Sequence, residues 1–146
     1  MTTINPYLTF NGDCEEAFHF YKSVFGNEFQ FVGRFTDMPE NQYFPVAESD
    51  KNKIMHISLP IGNGTLLFGC DTTRTFKSTT IVGNNISISV ETDSIENATH
   101  IFNSLSKGGN VTMPLEKTFW DAFYGMLTDK FGINWMVNYD LSKSKS

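Results

Sequence analysis

Apolar positions recur at helical spacing in two stretches of the chain. Between Asp13 and Phe25 they fall at Cys14, Ala17, Phe18, Tyr21, Val24 and Phe25, a stripe that turns one side of a helix toward a core. Asp13 is placed to cap the first turn, Glu16 stands at the capping-box position, and Gly26 supplies the stop. Ser94–Lys107 predicts a second helix with the stripe Ile95, Ala98, Ile101, Phe102 and Leu105. Asp93 or Ser94 caps it and Gly108-Gly109 ends it. Elsewhere the pattern is that of strands. Tyr7–Phe10 precedes the first helix and Ile86–Val90, alternating as Ile-Ser-Ile-Ser-Val, precedes the second. Glu28–Phe35, Lys53–Pro60 and Thr65–Cys70 follow the first helix. Asn110–Leu115, Ala122–Thr128 and Ile133–Tyr139 follow the second.

The two halves resemble each other. A shift of 81 residues lays Glu15 on Glu96, Ala17 on Ala98, His19 on His100, Tyr21 on Phe102 and Ser23 on Ser104. The first half carries one extra stretch, about Thr36 to Asn52, rich in Asp, Glu, Pro and Asn, which predicts a polar loop. Each half therefore reads strand, helix, then three strands: about 4–75 for the first and about 82–140 for the second. One helix covers only one side of a four-stranded sheet. Two such modules set side by side predict an α+β fold: duplicated βαβββ modules forming a cupped eight-stranded mixed sheet, helices outside, a ligand cavity within.

Composition narrows the function classes. The 146 residues are 40% hydrophobic and 18% charged, the balance of one globular domain. Fourteen Phe are enough to line a cavity as well as fill a core. Eleven Lys and Arg against sixteen Asp and Glu give a net charge of −5, which argues against nucleic acid and anionic membranes as partners. No apolar run approaches the roughly 18 residues that span a bilayer. The start, Met1 to Pro6, has no basic and then apolar segment of a secretory signal, so a cytoplasmic location is expected, with Cys14 and Cys70 as reduced thiols. No CxxC pair occurs. Cys70, with no His beside it in sequence, reads as a buried and inert thiol.

Several stretches carry a family likeness: Pro6-Tyr7-Leu8, Asn11 to Ala17, Phe20-Tyr21, Val24-Phe25-Gly26, Ile54-Met55-His56, Met113-Pro114-Leu115, Lys117 to Trp120, Asp129 to Gly132 and Trp135-Met136. Together they span nearly the whole chain. The sequence resembles the PhnB-like branch of the vicinal oxygen chelate superfamily, which has the glyoxalase and bleomycin-resistance fold. That branch also carries a demethylubiquinone methyltransferase-like label. The resemblance implies a homodimer. It also implies a place to look for a metal, since metal-dependent members hold a divalent ion with His, Gln or Glu from the first and last strands of each half. Counting along the motif, the matching seats are Pro6, Ser87, Phe68 and Met136. A borderline or hard cation needs nitrogen or oxygen donors that these residues lack, so no metal and no cofactor are expected.

Other residues are candidates for a ligand site. His56 and Ser58 alternate with Met55, Ile57 and Leu59, so if the apolar trio faces the helices, His56 and Ser58 face the cavity. His56 is the candidate general acid or base, with a structural hydrogen-bonded role as the alternative. Counting back from Gly132 and Gly64, Tyr124 falls on His56 and faces the same way. Trp120 and Asp121 precede its strand, Asp121 as a group to orient His56 or a ligand, or simply as a turn residue. Asn134 and Asn138 alternate with Trp135 and Val137 and offer amides to a ligand. His19 and His100, off the buried stripes, read as solvated. The turn Gly62-Asn63-Gly64 joins two strands, unlike the strand-to-helix Gly-rich turn of the common S-adenosylmethionine enzymes, so methyl transfer is not expected. Two functions follow: a metal-free small-molecule-binding protein with an aromatic-lined cup, or a metal-independent enzyme using His56 as general acid or base. A purely structural role has no specific residue behind it.

Overall fold

The computed structural model describes residues 1–39, 45–73 and 80–145. Residues 40–44 of the predicted polar loop lie outside the described residues; its flanks hold two short 3-10 turns, Phe35–Asp37 and Glu48–Asp50. The chain divides into two compact units, Met1–Ile81 and Val82–Ser146. The first runs β1 (Tyr7–Phe10), α1 (Cys14–Phe25), β2 (Phe31–Arg34), β3 (Ile54–Pro60) and β4 (Leu66–Asp71). The second runs β5 (Ile88–Glu91), α2 (Ile95–Ser106), β6 (Asn110–Lys117), β7 (Ala122–Thr128) and β8 (Asn134–Asp140). Each unit holds one mixed four-stranded sheet, in the orders β1-β4-β3-β2 and β5-β8-β7-β6. The first strand lies parallel to the last and the other neighbours are antiparallel. The α+β fold of duplicated βαβββ modules is thus as the hydrophobic pattern predicts, with the eight strands shared between two ladders.

Packing explains the two periodicities. The predicted stripe of α1 is buried at Cys14, Ala17, Phe18, Tyr21 and Val24, and that of α2 at Ala98, Ile101, Phe102 and Leu105. Against them lie Ile57, Leu59 and Leu67 in the first unit and Leu127, Trp135 and Val137 in the second, all close to fully buried. Burying each such side chain is worth about 1.5–3 kcal/mol. Both sheets admit an aromatic ring from their helix at a glycine. A Cβ on Gly69 would run into the Phe18 ring, and one on Gly125 would meet the Phe102 ring at 2.7 Å. No side chain fits where the ring already lies against the backbone.

Local reading misses contacts made from afar. Asp13, expected to cap α1, makes no side-chain cap bond. Its place is taken by Asp71, 57 residues on from Cys14. Asp71 Oδ1 accepts from Gly12 N (3.0 Å) and Cys14 N (2.9 Å), and Oδ2 accepts from Ile54 N (2.9 Å). The parallel pairing of β1 with β4 brings the end of β4 to the start of the helix, where unpaired N–H groups favour a carboxylate. Ser94 does cap α2, accepting from Asn97 N at 3.0 Å. Strand ends also differ from expectation. β2 is shorter than Glu28–Phe35 and shifts register between Gly33 and Arg34. β6 runs past Leu115 to Lys117 despite Pro114, because an edge strand tolerates a missing N–H and two register shifts absorb the ring. Beyond β8 the chain continues as a 3-10 turn over Leu141–Lys145, with Leu141 N donating to Asp121 O at 3.0 Å.

Candidate functional site

In each sheet the face away from the helix carries the chemistry. Residues paired across strands share a face. In the first unit one row reads Tyr7, Phe68, Ser58, Phe31 across β1, β4, β3 and β2. The next row begins Thr9–Cys70 and ends His56–Gly33. Continuing the Ile57–Gly69 pairing by one residue sets His56 opposite Cys70. His56 lies among three rings: its centroid is 5.6 Å from Tyr7, 5.9 Å from Phe31 and 5.3 Å from Phe68. The Tyr7 hydroxyl and His56 Nδ1 are 3.1 Å apart and share a hydrogen bond whose direction follows the imidazole tautomer. Burial, followed by the Cys70 thiol beside it, pushes the Tyr7 phenol well above its ordinary range. At neutral pH it therefore stays a neutral hydroxyl that can donate a hydrogen bond. Thr9 Oγ1 lies 4.0 Å from Cys70 Sγ. Tyr7 and Phe31 are about half exposed, while Ser58 is buried and donates to Gln30 Oε1 at 3.4 Å.

The second unit presents different side chains in the same frame. One row is Ser89, Met136, Met126, Met113, and the next is Glu91, Asn138, Tyr124, Glu116. Asn138 Nδ2 donates to Glu91 Oε2 at 2.7 Å. Trp120 lies edge-on to Tyr124, their centroids 5.9 Å apart, and Phe119 stacks edge-on to Trp120 at 4.9 Å. Both Phe119 and Trp120 are exposed.

The candidates named from the sequence fall in two groups, one in each unit. His56 and Ser58 lie in neighbouring rows of the first sheet on the face the alternation predicts. Tyr124 and Asn138 are paired in the second, with Trp120 beside Tyr124. Asn134 stands four residues from Asn138 along β8, about 13 Å by strand rise. Its amide accepts from Thr128 Oγ1 (2.8 Å) and donates to Ile86 O (3.2 Å) and Gly83 O (3.4 Å), which holds the approach to β5. Asp121 takes a left-handed backbone, φ 64°, and its N–H donates to Thr118 O at 3.3 Å. It shapes the turn into β7, whereas the partner His56 has within its own unit is Tyr7. His19 is exposed, 3.9 Å from Glu15 and edge-on to Phe29, and His100 is exposed.

Local reading does not give the settings of Tyr7 and Cys70, and Cys70, read as buried and inert, is half-buried. The sequence signal for Tyr7 was the repeat itself. The helices match at a shift of 81, but pairing equates Thr9 with Glu91, a shift of 82 in the first strands. The strand positions beside Phe68 and Met136 are therefore Tyr7 and Ser89, in place of the Pro6 and Ser87 reached by counting from the helices. Cys70 was judged by its sequence neighbours, while its companions come from β1 and β3. With the register corrected, the seats hold a phenol and a phenyl ring in the first unit and a hydroxyl and a thioether in the second. Neither pair offers the imidazole or carboxylate donors that suit a divalent cation of the magnesium, iron or zinc kind. Among the described residues no group of three or more His, Cys, Asp or Glu is placed to hold a metal ion.

Comparison with known proteins agrees with this architecture. The chain is similar to the protein PA1353 from Pseudomonas aeruginosa: 39% identity, 96% of this chain and 98% of that one covered, TM-score 0.81. It is similar to a PhnB protein from Bacillus cereus at 24% identity, covering 94% of this chain and 99% of that one, TM-score 0.70. It is 26% identical to the protein YjdN of Escherichia coli strain K12 over 92% of this chain and 93% of that protein. At 14–17% identity the fold alone extends to proteins described as glyoxalase-related or glyoxalase/bleomycin resistance protein/dioxygenase. Residues 2–138 match the family described as 3-demethylubiquinone-9 3-methyltransferase, and the chain belongs to that PhnB-like family within the glyoxalase/bleomycin-resistance fold.

Proposed function

We propose that this protein binds a small organic molecule, without a metal, on the helix-free faces of its sheets. The observation that carries this reading is the setting of His56: an imidazole bonded to Tyr7 and ringed by Tyr7, Phe31 and Phe68. Flat apolar walls around one convergent polar group suit a partly aromatic ligand. Metal independence is supported by the donor chemistry of Tyr7, Phe68, Ser89 and Met136. Tyr124, Asn138 and Trp120 supply a second such face. The net charge of −5 disfavours nucleic acid and anionic membrane as partners, and no helix among the described residues is long and apolar enough to cross a membrane. Family resemblance adds a homodimer, and the proposal takes the protein to be cytoplasmic.

The methyltransferase description of the family is not part of this reading. Gly62-Asn63-Gly64 connects the antiparallel strands β3 and β4, so the turn leads into no helix whose N-terminus could receive a cofactor carboxylate or phosphate. Native mass spectrometry after incubation with a deproteinised cell extract tests the proposal. The expected result is a retained, unmodified small-molecule adduct that is lost in Phe68→Ala. No adduct on folded wild-type protein overturns it. A second reading rests on the Tyr7–His56 bond: an enzyme with His56 as general acid or base. It predicts chemical turnover of an extract component that stops in His56→Ala.

A further inference from the structure

The helix-free face of the first unit holds a nucleophile that simple binding does not use. Cys70 stands opposite His56 across β4 and β3 and opposite Thr9 across β4 and β1, one row from Tyr7; the Tyr7 hydroxyl bonds the imidazole, and a hydrogen bond with the thiol is among the causes that raise its pKa. We propose that Cys70, Tyr7 and His56 form a thiol–phenol–imidazole relay that makes Cys70 add to a flat, electron-poor alkene of the α,β-unsaturated carbonyl class. The inference rests on the reading that this face takes a small aromatic or planar ligand.

The step balances without a further reagent. With Nδ1 unprotonated, the Tyr7 hydroxyl gives its proton to His56 as it takes that of the Cys70 thiol. The thiolate sulfur forms a bond to the β-carbon, the C=C π bond breaks, and the electron pair moves to the carbonyl oxygen as an enolate. The proton held on His56 returns, through water, to the α-carbon. Thiol and alkene become one thioether, with no change in oxidation state overall. Phe31 and Phe68 flank the histidine and give a planar acceptor apolar surfaces to lie against. Thr9 Oγ1, 4.0 Å from the sulfur, adds a donor that stabilises the thiolate.

Cys14 serves as an internal control. It is fully buried in α1, and burial followed by the nearby Asp71 pushes its thiol well above the ordinary range. Cys70 is only half-buried. The probe is N-ethylmaleimide, followed by intact-mass kinetics and peptide mapping on the native full chain. One equivalent should add at Cys70, faster than at Cys70 in the urea-unfolded chain, with Cys14 modified only after unfolding. Tyr7→Phe and His56→Gln should each slow the Cys70 reaction about tenfold at pH 7 and change the pH dependence of its rate. Unchanged thermal unfolding in both variants excludes loss of fold as the cause. A native Cys70 no faster than the unfolded one, or insensitive to both substitutions, overturns the relay. Extract adducts kept by Cys70→Ser while wild-type Cys70 is inert would sink this inference and leave the binding reading standing.

Discussion

The two units of this chain share a topology, and comparing them separates what packing requires from what chemistry uses. On the helix side they match closely: a stripe of four or five apolar residues, an aromatic ring seated over a glycine, and buried aliphatic partners. On the opposite side nothing matches. Tyr7 and Phe68 become Ser89 and Met136, while Cys70 and His56 become Asn138 and Tyr124. Close packing against a helix penalises any change of volume. A face turned away from the helix is not bound by that packing and is freer to diverge. The divergence is therefore where function should be sought, and the first unit carries the more reactive set.

Buried carboxylates show the same contrast. Among the described residues each unit has a buried aspartate that accepts N–H bonds from three residues, but at different places. Asp71 ties the start of α1 to the start of β3. Asp129 accepts from Phe131 N (2.8 Å), Ile133 N (3.1 Å) and Trp135 Nε1 (2.8 Å), fixing the β7–β8 turn and the indole that fills the core. The same device secures a helix in one unit and a hairpin in the other.

The largest expected effect comes from the shared side. Phe18→Ala and Phe102→Ala should each cost about 3–5 kcal/mol, read by urea unfolding. Similar losses would support equivalent cores, and a loss below 1 kcal/mol in either would break the parallel. Next come the aspartates. Asp71→Asn and Asp129→Asn each set an amide donor against an N–H and should cost about 1–3 kcal/mol. Faster amide exchange should be confined to Gly12, Cys14 and Ile54 in the first case and to Phe131 and Ile133 in the second.

Acidity gives a smaller and signed effect. Burial pushes the Asp71 carboxyl above its ordinary range, against the pull of its three N–H donors. The folded chain then keeps that proton to higher pH than the unfolded chain. Its contribution is greatest below the unfolded pKa and declines as pH rises through the folded one. Glu15 is the opposite case. Its hydrogen bonds to Arg34 hold it below the usual carboxylate range, so its contribution is present above the unfolded pKa and disappears on acidification through the folded one. Unfolding measured from pH 3 to 7 should show the slope changing in opposite senses in Asp71→Asn and Glu15→Gln, the latter shift being small because the pair is partly exposed. The smallest stability effect should come from the divergent face, where Tyr124→Phe removes only a hydroxyl. Thermal unfolding should leave it within about 0.5 kcal/mol of wild type.

Sequence pattern carried the helix-facing half of this picture because helix stripes and strand alternation are periodic and local. It placed both helices and all eight strands, and it set His56, Tyr124 and Asn138 on the right faces. It missed whatever depends on which strand lies beside which. The cap of α1 comes from Asp71, the partner of His56 is Tyr7, and Cys70 meets both only because β4 runs between β1 and β3. Asn134 and Asp121 alternate or precede strands as ligand groups would, yet Asn134 bonds the Thr128 hydroxyl and the backbone of Gly83 and Ile86, and Asp121 shapes a turn, which no spacing rule distinguishes. The one-residue slip between helix and strand matches in the repeat shifted the expected metal seats, and only pairing reveals it.

The central claim is that the helix-free faces take their ligand without a metal. Chelator-treated protein incubated with cell extract, with and without added zinc, nickel or manganese, tests it most directly. The account predicts equal small-molecule retention in every arm and no stoichiometric metal in the native mass. Retention that appears only when one of these ions is restored would contradict it.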